Sequence, residues 1–439
     1  MRSFYIHSLG CAKTRVDSEY VAAMLRARGL HHEETAGRAD LLIINTCSFI
    51  EDSRIESIDT ILEFSEQKQP GQRLMVVGCL PQRYGEELLE SLPEVDYFLG
   101  TANLDRVGAI LDNHTRFESF LPSHSYIPPR PLSRLSSLGA ASAYLKVAEG
   151  CDRRCAFCAV PLIRGPQQSL SLEHLVDEAS YLAQSGVKEL NIIAQDLTRW
   201  GEDRGEKGRL PQLLEALSEV KGIRWIRLLY LYPAFVTVPL LEAMSSIDAV
   251  VPYVDIPVQH FSDRVLKAMN RGYTQAKALK TIEMLRAHVP GIFIRTTILT
   301  GHPGEEKSDF DLLRRRIEEL TFDHLGVFAY SPEEGTAAFS RDAPSRRSAL
   351  ARQKSIMELQ AEISRKKLEE LKGKVLPCLV ESFDEESMVY IGRHHGQAPE
   401  VDGVTYFSDG TFHPGMVADL RITDFSDYDL VASPINTDS

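Results

Sequence analysis

Between residues 140 and 340 a strand–helix unit recurs six times. The strands read "AYLKVA", "ELNIIA", "IRWIRLLY", "VPYVDI", "IFIRTTIL" and "HLGVFAY", separated by helical patterns such as "LEHLVDEASYLAQSG" and "AKALKTIEMLRAH". Strands that alternate with helices pair parallel, because each helix carries the chain back across the sheet. Six or more such units predict a TIM-like (β/α) barrel, closed or partly open, with its reactive groups at the carboxyl ends of the strands. At 439 residues the chain exceeds one ordinary core, so further domains are expected.

The segment to about residue 120 has the same alternation on a smaller scale. "SFYIHSLGC", "ADLLIINTC" and "RLMVVGC" read as strands, each followed by a helical stretch. The continuous apolar runs suit strands buried on both faces, which predicts a doubly wound parallel sheet. Cys11, Cys47 and Cys79 each fall just after a strand and just before a helix. A buried free cysteine is common in a strand. Three at one topological position, however, are brought to the same sheet edge, where ligands bind in open parallel sheets.

A Pro- and Ser-rich stretch without periodicity, placed at 121–139, reads as a linker. After a long helix around "SALARQKSIMELQAEISRKKLEELKG", short runs such as "VLPCLVESF" and "MVADLRITDF" predict a small antiparallel β-barrel or sandwich. Domains are therefore expected at 1–120, 140–370 and 371–439. From 373 onward three basic residues face twelve acidic ones, whereas residues 341–372 carry nine basic and five acidic.

The whole chain has a net charge of −13, which gives no general attraction to phosphate. It contains no run of eighteen apolar residues, and its amino terminus does not read as a signal peptide. A cytoplasmic protein is expected. Seven cysteines, an odd number, then point to metal or redox chemistry ahead of a disulfide framework.

"EGCDRRCAFC" places Cys151, Cys155 and Cys158 just past the first barrel strand. Structural zinc sites take four ligands, usually as two doublets, and no doublet follows here. A zinc ion completed by Cys378 or a histidine is one reading, although Cys378 in "LPCLVES" has the look of a buried core residue. The other reading is an iron–sulfur cluster. Such clusters ordinarily take four cysteines, and three leave one iron open to a small molecule.

The C-x3-C-x2-C spacing of "CDRRCAFC", with Phe157 before the last cysteine, resembles that of radical S-adenosylmethionine enzymes. "SLGCAKTRVDSE", "INTCSFIEDSRIESI" and "GCLPQRY", with "AQDLTRWG", "YLYP", "VDIPVQHFSDRVLKAMNRGYT" and "YSPEEGT", resemble blocks of the methylthiotransferases within that superfamily. The resemblance spans nearly the whole chain, and the last domain is similar to the TRAM domain. It implies two 4Fe–4S clusters and S-adenosylmethionine as cofactors. Cys151, Cys155 and Cys158 would hold the radical-generating cluster, and Cys11, Cys47 and Cys79 an auxiliary cluster that delivers sulfur. Gln195, Asp196 and Gln259, at strand ends, are expected in the S-adenosylmethionine pocket. No side chain is assigned as a general acid or base. His302 in "ILTGHPGEE" departs from the family's usual aromatic and is expected to fill or rim the barrel mouth. Thr14 stands where Asn is commoner.

Two branches of that family compete, one acting on tRNA adenosines and one on an aspartate β-carbon of small-subunit ribosomal protein S-twelve. "LGCAKTRVDSE", "QDLTRWG" and "DIPVQH" resemble the protein-modifying branch. The acidic last domain agrees, since it would repel RNA and attract a basic ribosomal protein, whether free or on the small subunit. An electron donor such as flavodoxin or ferredoxin and a sulfur source are implied as partners. A non-catalytic iron–sulfur carrier would explain the cysteines but not the barrel.

Overall fold

The structure is a computed structural model and describes residues 1–113, 116, 126–128, 131 and 133–435. In the amino-terminal domain β1 (Ser3–Ser8), β2 (His31–His32), β3 (Leu41–Thr46), β4 (Arg73–Gly78) and β5 (Tyr97–Gly100) form a parallel sheet in the order β2-β1-β3-β4-β5. Helices α1 (Ala12–Ala27), α2 (Glu51–Gln67), α3 (Cys79–Ser91) and α4 (Val107–Asn113) cover it. The period-two alternation of side chains along a strand explains why the strands are apolar throughout. Leu41, Ile43, Met75 and Val77 pack on one face with Val21, Leu25 and Ile110. Leu42, Ile44, Leu74 and Val76 pack on the other with Ile61, Leu80 and Leu88. Each strand thus serves two cores, as a doubly wound sheet requires.

The central domain opens with β6 (Ser142–Lys146) and a short antiparallel ribbon of β7 (Ala148–Glu149) and β8 (Gln168–Ser169), with α5 (Val160–Arg164) between its strands. It continues through β9 (Glu189–Ile193), β10 (Trp225–Leu228), β11 (Val250–Asp255), β12 (Phe293–Thr300) and β13 (His324–Ala329). The connecting helices are α6 (Leu172–Gln184), α7 (Leu210–Ser218), α8 (Val238–Ser246), α9 (Asp263–Ala268), α10 (Gln275–His288) and α11 (Lys307–Leu320). Among the described residues the six strands β6-β9-β10-β11-β12-β13 pair in chain order, all parallel, and form an open barrel. All six barrel strands expected from sequence are present. The linker expected at 121–139 lies partly outside the described residues. Arg134, which is described, is no spacer residue: it is fully buried and ion-paired to Glu19 and Glu178.

Helix α12 (Arg346–Leu371) buries Ala349, Ile356, Leu359 and Ile363; Arg346, Arg347, Lys354, Arg365 and Lys366 are exposed, while Arg352 turns in to pair with the buried Glu305 at 2.9 Å. It leads into the closed barrel of β14 (Val375–Asp384), β15 (Val389–His394), β16 (Thr405–Phe407), β17 (Val417–Phe425) and β18 (Leu430–Pro434). The expected antiparallel barrel is present with one exception, the pair β16 and β18, which runs parallel. A closed ring of five strands cannot alternate direction all the way round, so one neighbouring pair must run together. Cys378 is fully buried in this barrel's core with Val380, Phe407 and Leu420.

Candidate active site

Three strand ends of the first domain face the mouth of the central barrel across one cavity of about 490 Å³. Its walls include all six cysteines of the two trios, together with Gln195, Asp196 and Gln259. Residues separated by up to about 250 positions in sequence are therefore gathered as the strand-end argument anticipates.

Backbone geometry sets the first trio. Gly10 has φ +90°, and a β-carbon there would lie 2.9 Å from Cys47 Cβ. Gly78, at φ +104°, would drive one to 2.3 Å from Asn45 Oδ1. Only glycine permits both approaches. Cys11 then precedes α1, and Cys79 is the first residue of α3. The Cys47 N–H donates to Ser57 Oγ at 3.1 Å, and that hydroxyl donates to the Cys47 carbonyl at 2.9 Å. Ser48 Oγ donates to the Cys79 carbonyl at 3.0 Å. Thr14 Oγ1 lies 2.8 Å from the Leu9 carbonyl and 2.7 Å from that of Cys11, so this departure from the family's usual Asn still ties down the loop.

The second trio hangs from the β7–β8 ribbon. Gly150, at φ +77°, passes so close to Pro166 that a β-carbon would lie 2.1 Å from its carbonyl oxygen. The loop is pinned by Cys151 N–H donating to Gly165 O at 3.0 Å and Ala156 N–H to Met269 O at 2.9 Å.

Each trio also receives a buried arginine. Arg164 Nη2 is 3.3 Å from Cys79 Sγ, and Arg271 Nη1 is 3.3 Å from Cys155 Sγ. Arg164 is held by Asp17 at 2.7 Å and Glu149 at 2.9 Å, and Lys146 bridges the same two carboxylates. Burial by itself would raise Glu149, but Arg164 and Lys146 outweigh it and hold the carboxyl at about 2. Arg271 has no carboxylate partner among the described residues. It donates to Pro257 O at 2.8 Å and stacks on Tyr232.

The other expected residues are placed as follows. Gln195 lines the cavity while its amide donates to Glu149. Asp196 pairs with Arg153 at 2.7 Å and accepts from Thr198 N–H at 3.1 Å. Gln259 is held at φ +66° by hydrogen bonds to Thr297 and from Leu299. Tyr230, also on the cavity wall, has φ +62°. Non-glycine residues in this region cost about 1–3 kcal/mol each and cluster at functional sites. His302 is fully buried between Phe157 and Tyr330, and burial pushes it down to about 4. It therefore fills the barrel mouth in neutral form.

Sequence reasoning passed over Lys13, Arg153, Arg164 and Arg271, all of which line the cavity. Their one signal is position inside or beside blocks quoted for other reasons, "CAKTR", "CDRRC" and "NRGYT" among them; lone cations carry no spacing signature.

The donor chemistry suits iron–sulfur clusters. Burial pushes the Cys79 and Cys158 thiols up to about 12 and Cys151 to about 11, so bare they are protonated and any metal must displace those protons. Among the described residues no three His, Cys, Asp or Glu side chains close on a point tightly enough for a single metal ion. Each trio instead borders a wide void, and thiolates are the usual ligands of such clusters.

Comparison with known proteins agrees with this geometry. The Uncharacterized protein family UPF0004 matches residues 3–100, the Radical SAM superfamily 145–317 and the TRAM domain 373–435. The "Ribosomal protein uS12 methylthiotransferase RimO" of Myxococcus xanthus is 42% identical over 98% of this chain and 91% of its own length. That of Aquifex aeolicus is 43% identical over 96% and 95%. Among solved structures, the radical S-adenosylmethionine methyltransferase TsrM of Kitasatospora setae shares the fold, with a TM-score of 0.57 at 14% identity over 77% of each chain. Identity above 40% along almost the full chain, together with all three domains in order, shows that this chain belongs to the RimO family of radical SAM methylthiotransferases.

Proposed function

We propose that this enzyme adds a methylthio group to the β-carbon of an aspartate in ribosomal protein uS12. The observation that carries the reading is the single cavity shared by both cysteine trios, in a chain of this family. Cys151, Cys155 and Cys158 would hold one 4Fe–4S cluster, and Cys11, Cys47 and Cys79 a second. When bound, the clusters and S-adenosylmethionine supply hydrogen abstraction from an unactivated carbon and the sulfur that replaces that hydrogen.

The protein's own part is positioning and shielding. Gln195 and Gln259 present amides to the cavity beside the second trio, and Asp196 orients Arg153 there. Tyr230, Tyr232 and Phe157 line the walls, which keeps a reactive centre from water. Turnover needs an electron donor of the flavodoxin or ferredoxin class and a sulfur source, in the cytoplasm where ribosomal proteins reside. Among the described residues no helix is long and apolar enough to cross a membrane.

The carboxyl-terminal barrel supports a basic protein as substrate. Glu385, Glu386, Asp409, Asp419, Asp424 and Asp427 are exposed on it. Of its three basic residues, Arg393 is buried against Glu189 and Glu381 and contributes nothing to the surface. Mass spectrometry of uS12 and tRNA from cells with and without the gene tests the proposal. Loss of a methylthio group from uS12 is expected; loss from tRNA with uS12 unchanged contradicts it.

A further inference from the structure

Among the described residues four cationic side chains reach the shared cavity, and three already have polar partners. Arg153 is paired with Asp196, Arg164 with Asp17 and Glu149, and Arg271 with a backbone carbonyl and Cys155 Sγ. Lys13 differs. It stands two residues after Cys11 in the first turn of α1, is 7% exposed, and lines the cavity. Its ammonium sits 3.1 Å from the centroid of the Tyr230 ring, and among the described residues it makes no hydrogen bond or ion pair. A ring face stabilises a cation but satisfies none of its three N–H donors. A buried ammonium in that condition calls for an acceptor, ideally an anionic one.

We propose that Lys13 is the subsite for the carboxylate of the substrate aspartate. The inference rests on the function proposed above. The carboxyl carbon is bonded directly to the β-carbon, so anchoring it at Lys13 holds the carbon to be thiolated beside Cys11, on the sulfur-delivering side of the cavity. Tyr230 fixes the ammonium in place. Its own unusual backbone is held by an N–H donated to Asp255 Oδ2 at 3.3 Å. The methionine end of S-adenosylmethionine would bring a second carboxylate to this cavity. Arg153 and Arg271, beside the Cys151 trio, would be the cations for it.

A double-mutant cycle separates the two sources. Binding of purified uS12, and of uS12 with its target aspartate changed to Asn, is measured to the reconstituted holoenzyme and to its Lys13→Met, Lys13→Gln and Lys13→Arg variants, with iron content checked in each. Removing one partner of a buried charge pair costs about 2 kcal/mol or more, a loss of about 30-fold or greater. Lys13→Met is expected to weaken binding of native uS12 by that factor and to leave binding of the Asn form unchanged, with Lys13→Arg recovering part of the loss. Lys13→Gln provides the same comparison if Lys13→Met fails to retain iron. Equal weakening of both uS12 forms overturns the proposal. So does a loss of S-adenosylmethionine affinity with uS12 affinity intact, which would assign Lys13 to the cofactor. A wild-type enzyme that thiolates tRNA and ignores uS12 fails the functional reading itself, and is told apart by needing no variant.

Discussion

Asp255 ends β11 with one carboxylate oxygen accepting from Tyr230 N–H and the other, buried, without a hydrogen-bond partner among the described residues. Burial pushes its carboxyl up to about 6, against the pull of Arg295 and Lys13. A group whose folded pKa lies above its unfolded value binds more protons when folded. Its contribution to stability is therefore largest below about pH 4 and declines as pH rises to 6. Asp255→Asn is expected to stabilise the protein at pH 7 by up to about 3 kcal/mol and to flatten unfolding midpoints between pH 4 and 6. Denaturant unfolding across that range checks it. A second residue-scale test concerns Gly150, where a β-carbon would meet Pro166 O at 2.1 Å. Gly150→Ala should displace the cysteine loop, and iron bound per chain after reconstitution should fall by about half. At this scale the six cysteines were legible because their spacing and strand-end positions are printed in the sequence. Lys13 and Arg271 were not, because their significance lies in which neighbours they lack, and only the fold reveals that.

At the scale of elements, strand–helix alternation carried most of the architecture, since apolar period and turn residues are local signals. The parallel β16–β18 pair was not legible, because it follows from ring closure by an odd number of strands and not from any strand's own sequence. Helix α12 shows the difference between composition and packing. Its basic character drew attention to charge, but its stability comes from the stripe that includes Ile356, Leu359 and Ile363. Ile356→Ala is expected to cost about 2–5 kcal/mol by leaving a cavity. Lys354, with its side chain 79% exposed in a 3.9 Å pair with Glu358, should change stability by less than about 0.5 kcal/mol when replaced by Ala. Chemical unfolding of the two variants distinguishes them.

For the whole molecule, buried ion pairs join the domains, Asp17 with Lys146 and Arg164 among them, and two further sets tie down other contacts. Arg134 connects Glu19 of α1 with Glu178 of α6, and Arg393 of the terminal barrel reaches Glu189 of β9. Burial would raise Glu189, yet Arg393 and Arg227 outweigh it and hold it at about 2. Its folded pKa lies below the unfolded value. The contribution, about 3 kcal/mol, is therefore complete above about pH 4.5 and is lost as pH falls toward 2. Removing one partner strands the other charge, so Arg393→Met should cost about 3–5 kcal/mol and make the junction before the terminal barrel sensitive to limited proteolysis. These locks matter because the cavity exists only while the first domain's strand ends face the central barrel.

On the function proposed, the two trios do different work across that one cavity. The decisive measurement is a single reaction of reconstituted Cys47→Ala with S-adenosylmethionine and uS12, in which 5′-deoxyadenosine and thiolated uS12 are both quantified. Separate roles for the trios give 5′-deoxyadenosine without thiolation. Loss of both products in a folded protein that keeps the Cys151 cluster, or thiolation that persists, would contradict it.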